Sequence, residues 1–129
     1  PTEAEWEFAA GGGVLKEGHH FSGSNNLDIV AWSNRNAIGN LHPVGRRLPN
    51  ALGLYDMNGN VEEWCWDWFA DYTEATQNNP LGPDSGKYKI IKGGSRKEDA
   101  TDNHVTARSW TTPDSKKECR GFRIVRNGD

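Results

Sequence analysis

Two carboxylates of the chain, Asp56 and Glu63, stand on either side of an Asn58–Gly59 pair. An Asn-Gly pair reverses the chain, so both carboxylates and the carbonyls between them can converge on one cation. A donor set made only of oxygens suits Ca²⁺. On spacing alone, an ordinary hairpin turn with solvated acids is the favoured interpretation.

The sulfur and imidazole groups give weaker signals. The two cysteines, Cys65 and Cys119, follow no CxxC or Cys/His zinc spacing. They are typical of buried small apolar residues or of one disulfide. The His19–His20 pair lies among Gly and Ser residues with no carboxylate at ligand spacing, which indicates a solvated loop.

Residues 96–120 have the composition of an adaptable recognition surface, because charged, amide and hydroxyl groups surround one large aromatic residue. The alternative is a solvated loop without a ligand. We predict ligand contacts from ten residues of this stretch: Arg96, Lys97, Asp99, Asp102, Asn103, His104, Trp110, Thr112, Lys116 and Glu118.

These groups must be positioned by short elements. Thr2 and Glu5 have the spacing of a capping box, so we expect a helix of about ten residues that ends at Gly11–Gly13. From residue 14 to residue 49 the chain is rich in Gly, Ser, Asn and His, which predicts ordered loops.

Three strands are expected in the second half. Trp64, Trp66 and Trp68 alternate with the two-residue period of a strand, so one sheet face should carry all three indoles and help to fix the scaffold. Residues 88–92 form a short strand that Gly93–Gly94 stops, and residues 121–126 form a closing strand with Phe122 and Ile124 opposite Arg123. Together, the predicted helix, strands and loops indicate an α+β domain with short strands and a large fraction of loop.

Length and composition exclude several classes of protein. The chain has 129 residues, which fits one domain with one main site. Only 34% of its residues are apolar, and no stretch is long enough to span a membrane. A net charge of -3 argues against a nucleic-acid partner. Six Trp, four Phe and three Tyr favour an ordered core over disorder.

Several segments together resemble one family, the formylglycine-generating enzymes or sulfatase-modifying factors. The similarity covers nearly the whole chain and is carried, in order, by residues 1–10, 50–64, Gly93–Gly94–Ser95, Ala107–Arg108 and Gly121–Phe122–Arg123. The resemblance implies a C-type lectin-like fold. A strand and helix that usually precede the first motif are missing here, so we expect residues 1–129 to be a single domain that lacks them.

The resemblance also implies a catalytic reaction, but this sequence lacks the residues that the reaction requires. Catalytic members oxidise a substrate cysteine to formylglycine with a copper(I) ion on two thiolates, which lie between the Gly-Gly-Ser and Ala-Arg-Ser segments. Here residues 96–106 contain no cysteine. We therefore expect no copper and no enzyme activity. The alternative is a copper-dependent oxidase of cysteine-containing peptides, in which Cys65 and Cys119 meet.

Two further expectations follow from the resemblance. The family holds a structural calcium with side chains that match Asp56 and Glu63 and with main-chain oxygens that match Gly59 and Val61. Some lectin-like bacterial proteins of this kind are diversified at their C-terminal segment by retroelements, and residues 96–120 look like such a segment. In that case a cell-surface or periplasmic location is expected.

The sequence thus predicts a binding module on a C-type lectin-like scaffold. Its partner is an unknown protein or small-molecule ligand. A third interpretation is one half of a larger protein, whose preceding segment would cover apolar surface.

Overall fold

The computed structural model describes residues 1–16 and 18–126. It contains helix α1 (Glu3–Ala10), a 3₁₀ turn (Gly13–Leu15), a one-turn helix α2 (Leu27–Val30) and four short strands: β1 (Glu62–Trp68), β2 (Lys89–Lys92), β3 (Ser109–Thr111) and β4 (Arg120–Gly121). Loops make up most of the remaining described chain. The fold is the predicted mixed α and β type with a single sheet.

Helix α1 begins at the predicted capping box. The Thr2 hydroxyl accepts a hydrogen bond from the Glu5 amide at 3.2 Å, and the Thr2 amide donates to the Glu5 carboxylate at 2.8 Å. The helix ends where Gly12 and Gly13 take positive φ angles, as the glycine run predicted. Its sequence therefore fixes both ends of α1.

The four strands form one sheet in the order β3-β2-β1-β4. β2 pairs antiparallel with both β1 and β3, while β4 pairs parallel with β1. Trp64 of β1 pairs with Ile91 of β2, and Trp68 pairs with Lys89. Between these two pairs, three residues of β1 lie opposite one residue of β2. This β-bulge bends the central strand.

Helix α1 covers one face of the sheet, which we call the inner face. Trp6 on α1 is 1% exposed and packs in a core cluster with Ala10, Met57, Cys65, Ile90 and Val105. A second cluster holds Phe21, Leu27, Val30 and Ala31 around α2. The opposite side of β1, the outer face, carries Trp64, Trp66 and Trp68.

Two sequence predictions about the strands were wrong. Trp66 is 71% exposed, so it does not fix the scaffold. The closing strand ends at Gly121, and Phe122 is 72% exposed. The chain leaves the sheet there because the Arg123 guanidinium turns to Glu63 and to the Tyr55 and Asp56 carbonyls.

Candidate functional site

A cleft of about 220 Å³ opens on the outer face, between the Gly93–Gly94 turn and the Ala107–Ser109 segment. Strand residues Glu62, Ile91 and Ser109 line it, and Glu98, Asp102 and Lys117 line it from the loops. Gly94 has a φ of +64°, and a Cβ there would lie 2.8 Å from the Asp102 carbonyl oxygen. A glycine is therefore required for the turn to pack against the 96–106 segment.

The charges around the cleft are partly neutralised within the protein. Glu62 is buried, and its carboxylate accepts from Arg120 Nε at 2.6 Å, with Lys117 Nζ at 3.5 Å. Glu98 accepts a hydrogen bond from the Ser95 hydroxyl. Acidic, basic and hydroxyl-bearing residues, Lys92 and Arg108 among them, thus line a small polar space.

Of the ten predicted contact residues, Asp102 lines this cleft. Lys97 and Glu118 are exposed elsewhere and pair at 2.6 Å. The pKa of the Glu118 carboxyl is lowered below its usual value, chiefly by the hydrogen bond and charge of Lys97. The charge of Arg96 lowers it further. Asp99 and Lys116 are also exposed, and Asp99 caps the Thr101 amide at 2.8 Å.

Two predicted contacts lie inside the protein instead. Arg96 is 4% exposed, and its guanidinium donates to the Gly39 carbonyl at 3.0 Å and to Glu118 at 2.9 Å. Asn103 is fully buried, donates to the Asp99 carbonyl at 2.6 Å and accepts at its own carbonyl from Asn58. Both side chains tie the 96–106 segment to its neighbours and are covered from solvent.

The remaining three predicted residues lie outside the cleft. Trp110 stacks on Phe69 with ring centroids 4.2 Å apart. His104 stacks on His20 at 5.3 Å. The Thr112 hydroxyl hydrogen-bonds to Asp114 and lowers the pKa of that carboxyl. The predicted stretch is therefore split into separate local clusters.

Sequence reasoning missed Glu62, Glu98, Ser109 and Lys117 as cleft residues. Glu62 precedes Trp64 by two residues, so the alternation that placed the indoles on one face places Glu62 there too. Glu98 follows the Gly-Gly-Ser turn by three residues. These two signals were present, whereas the approach of Lys117 depends on a long-range contact.

Comparison with known proteins identifies the family of this chain. The sequence model of the sulfatase-modifying factor enzyme 1-like domain (FGE-sulfatase) matches residues 1–128. The chain belongs to this family. A formylglycine-generating enzyme of Streptomyces coelicolor is 37% identical over the whole chain and 46% of its own length. Chaperone protein LppX of Paenibacillus barcinonensis is 33% identical over 98% of the chain and 48% of its own length.

The structural comparison agrees with this family and fold. Treponema denticola variable protein 1 superposes with a TM-score of 0.88 and 39% identity, over 95% of this chain and 45% of that one. The fold is thus the predicted C-type lectin-like one. The chain spans about half the length of the curated relatives it matches.

The cysteines of this family member are both free and buried. Burial, followed by the charges of Asp67 and Glu3, raises the pKa of the Cys65 thiol to about 12. A thiol in that environment resists conversion to the thiolate that binds metals. Cys119, at 3% exposure, lies beside β4 and does not line the cleft.

The residues for which calcium was predicted include a carboxylate that is already paired with a cation. The chain bends at Asn58, and Gly59 has a φ of +72° and forms an isolated bridge with Trp32. One oxygen of Asp56 accepts from the Gly45 amide at 2.7 Å, and its other oxygen is buried without a partner. Both oxygens of Glu63 accept from Arg123, at 2.6 and 2.7 Å. The unpaired oxygen of Asp56 suits a hard cation, whereas the carboxylate of Glu63 is already paired with the guanidinium of Arg123.

A second concavity of about 940 Å³ lies between α1 and residues 70–83. At its base Arg108 donates twice to Glu3, at 2.7 and 2.9 Å, and lies 4.1 Å from the Tyr72 ring centroid. Burial, followed by the charge of Glu3, raises the pKa of Tyr72 to about 12. None of the ten predicted contact residues lines this groove, so we place the candidate site in the smaller cleft.

Within residues 1–16 and 18–126, no group of three or more His, Cys, Asp or Glu side chains could hold a metal ion. In the same ranges, no helix is both long and apolar enough to cross a bilayer.

Proposed function

We propose that this chain is a non-catalytic binding module whose ligand site is the cleft on the outer face. One observation carries the proposal. The cleft lies between the same two segments that bracket the thiolate pair in the resemblance. Acidic, basic and hydroxyl-bearing residues line it and, in the part of the chain that the structure describes, no thiol does. Such groups bind a polar ligand, but they do not hold copper(I), which requires soft sulfur donors.

The alternative function is the copper-dependent oxidase of the formylglycine-generating relatives. It draws support from the family alone. Against it stand the burial of both cysteines and the raised pKa of Cys65. An oxidase built on Cys65 and Cys119 requires the core to open around each thiol.

The similarity to a variable protein supports a further part of the proposal. Treponema denticola variable protein 1 shares 39% identity with this chain, and we propose that residues 96–120 include the positions at which related copies differ. Arg96 and Asn103, which are buried, are expected to stay constant, and exposed Lys97 and Lys116 to vary. A genomic neighbourhood with a reverse transcriptase gene and a matching repeat is the expected finding. A neighbourhood without either contradicts the retroelement.

The binding proposal is tested by panning a displayed random-peptide library on the purified chain. Selected peptides are expected to lose binding by about tenfold or more when Asp102→Lys or Lys117→Glu reverses a charge of the cleft. Asp84→Lys, on an exposed loop outside the cleft, is the matched control and is expected to leave binding unchanged. Binders that ignore both cleft variants place the ligand site elsewhere.

The same preparation tests the oxidase. It is incubated with copper(I), oxygen and a cysteine-containing peptide, and aldehyde is sought by mass spectrometry. We expect none. Aldehyde that disappears in Cys119→Ser would establish the oxidase and remove the binding proposal.

We also propose calcium at the Asp56 motif, as a structural ion. The unpaired buried oxygen of Asp56 supports it, and Arg123 competes for Glu63. The midpoint of thermal unfolding is expected to fall when a chelator replaces saturating calcium, and Asp56→Asn should remove that difference. An equal midpoint in both buffers means that Arg123 is the cation of this motif.

A further inference from the structure

Trp66 is exposed on the outer face of the sheet. Its strand, β1, pairs with β2 on one side and, at Glu62 and Glu63, with β4 on the other, and the indole is 71% exposed. The bulge lies between Trp64 and Trp68, and the Trp66 amide donates to the Pro1 carbonyl at 2.8 Å. Bulges re-aim side chains, so the backbone itself holds this indole towards solvent.

A lysine with free donors stands beside that indole. Lys89 Nζ lies 5.4 Å from the Trp66 ring centroid and 4.0 Å from that of Trp68, and it donates to the Trp66 carbonyl. An ammonium has three N–H groups, so two remain for another acceptor. By contrast, the guanidinium of Arg120, over Trp64 at 5.0 Å, is occupied by Glu62 and Ser115. We call Trp64, Trp66, Trp68 and Lys89 the indole surface.

The indole surface begins where the cleft ends. Trp64 pairs in register with Ile91, and Ile91 lines the cleft. On this side of the cleft Lys117 and Arg120 both pair with the carboxylate of Glu62, and Lys89 lies over the Trp68 ring. The acids Glu98 and Asp102 belong to the loop wall of the cleft. A chain with a net charge of -3 thus has a locally cationic, apolar surface beside its cleft.

We propose that the indole surface binds an acidic segment of a partner protein, which lies extended along β1 as it leaves the cleft. An apolar side chain packs on the Trp66 ring, and a neighbouring carboxylate accepts from Lys89. Side chains on one face of an extended peptide repeat every two residues, about 7 Å, so the carboxylate lies two residues along the peptide from the apolar side chain. Exposed Trp beside a cation is typical of residues that dominate protein interfaces.

This inference rests on the proposed binding function and names its partner class. A nucleic acid is the competing class, since bases stack on aromatic rings and phosphates attract lysine. The overall negative charge of the chain disfavours it, because a polyanion is repelled over the rest of the surface.

The experiment measures fluorescence anisotropy with three labelled probes: a decapeptide that repeats Val-Ser-Glu-Ser, so that Val and Glu alternate on one face, its counterpart with Lys in place of Glu, and a ten-nucleotide single-stranded DNA. The acidic peptide is expected to bind at least about tenfold tighter than the basic one and to weaken with added salt. Trp66→Ala and Lys89→Ala should each weaken it by about tenfold, and Lys89→Glu should reverse the preference. Phe122→Ala and Lys16→Ala are matched controls, an exposed aromatic and an exposed lysine outside the surface.

Each other outcome overturns the inference. Equal binding of both peptides, or acidic binding that Trp66→Ala leaves unchanged, removes the indole surface as a contact. If the DNA binds more tightly than the acidic peptide and Trp66→Ala weakens that binding, the partner is a nucleic acid and not a protein. If library peptides depend on the cleft variants while Trp66→Ala and Lys89→Ala have no effect, this inference fails and the proposed function stands. If no peptide depends on the cleft, the proposed function fails.

Discussion

The two faces of strand β1 reverse the usual arrangement of polar and apolar side chains. Glu63, Cys65 and Asp67 point inward against α1, while the indoles of Trp64, Trp66 and Trp68 point outward. The inward carboxylates are tolerated because each is bonded: Glu63 accepts from the Trp6 indole at 2.8 Å and from Arg123, and Asp67 accepts from the Glu3 amide at 2.6 Å. Of the outward indoles, Trp66 is 71% exposed, whereas Trp64 and Trp68 are half-buried and Trp68 packs beside Gly86.

This difference predicts which side chains of β1 support the fold and which are accessible to a ligand. A buried charge with complete bonding holds α1 on the sheet. An exposed indole on a central strand contributes little to stability, so it is available for binding. Substitutions at four positions test that division.

The largest effect is expected at Trp6, the indole of the inner side. Trp6→Ala removes a side chain that is 1% exposed and also leaves Glu63 without one donor. We expect a loss of about 3 to 5 kcal/mol in the free energy of unfolding, measured with a chemical denaturant. A loss as small as that of Trp66→Ala would erase the distinction between the faces.

A smaller loss is expected at Arg96, with Lys97 as its neighbour and control. Both side chains donate to the same Glu118 oxygen, at 2.9 and 2.6 Å, but Arg96 is buried and Lys97 is exposed. Arg96→Ala also leaves the Gly39 carbonyl without its donor, so we expect about 1 to 3 kcal/mol. Lys97→Ala should cost about 0.5 kcal/mol or less, because surface pairs are screened. Equal losses would place Arg96 at the surface.

The inward carboxylate of Asp67 gives a dependence on pH. Burial raises the pKa of this carboxyl above the ordinary 3.8. The hydrogen bonds from the Glu3 and Asp67 amides lower it, but the effect of burial is larger. The unfolded chain therefore releases this proton at lower pH than the folded chain. The contribution of Asp67 to stability is present below 3.8 and is lost as the pH rises through the folded pKa.

Asp67→Asn tests this sign, since an amide does not ionise. In denaturation experiments across this pH range, the wild type is expected to lose stability relative to Asp67→Asn as the pH increases above 3.8. A difference that stays constant with pH, or changes in the opposite direction, contradicts the burial of this carboxyl.

The smallest effect on stability is expected at Trp66. Because its indole is 71% exposed, Trp66→Ala should change the free energy of unfolding by no more than about 0.5 kcal/mol. The same denaturation assay checks it. A loss that approaches that of Trp6→Ala would mean that Trp66 supports the fold and is not free for a partner.

Local signals in the sequence were sufficient for several elements. The capping box of Thr2 and Glu5, the glycines after α1 and the Gly93–Gly94 stop of β2 were all predicted correctly. The family motifs predicted the fold, which the comparisons confirm. These features depend on neighbouring residues or on a spaced pattern, and both can be read directly along the chain.

The candidate site was harder to predict. The segment 96–120 was chosen by composition, but composition does not distinguish buried Arg96 from exposed Lys97. Lys117 reaches Glu62 from a distant part of the sequence, a contact that no local pattern encodes. The calcium, the diversification and the ligand contacts remain predictions.

The sequence by itself determined both ends of α1 and the stop of β2, because caps and glycines act within a few residues. It also determined that the motif positions of the copper enzymes lack cysteine. Tertiary structure alone decided which side of β1 faces the core. The alternation of Trp with charged residues allows either face to be buried, and the inward choice follows from long-range donors on Trp6, Arg123 and Glu3, which satisfy the buried carboxylates and leave the indoles outside.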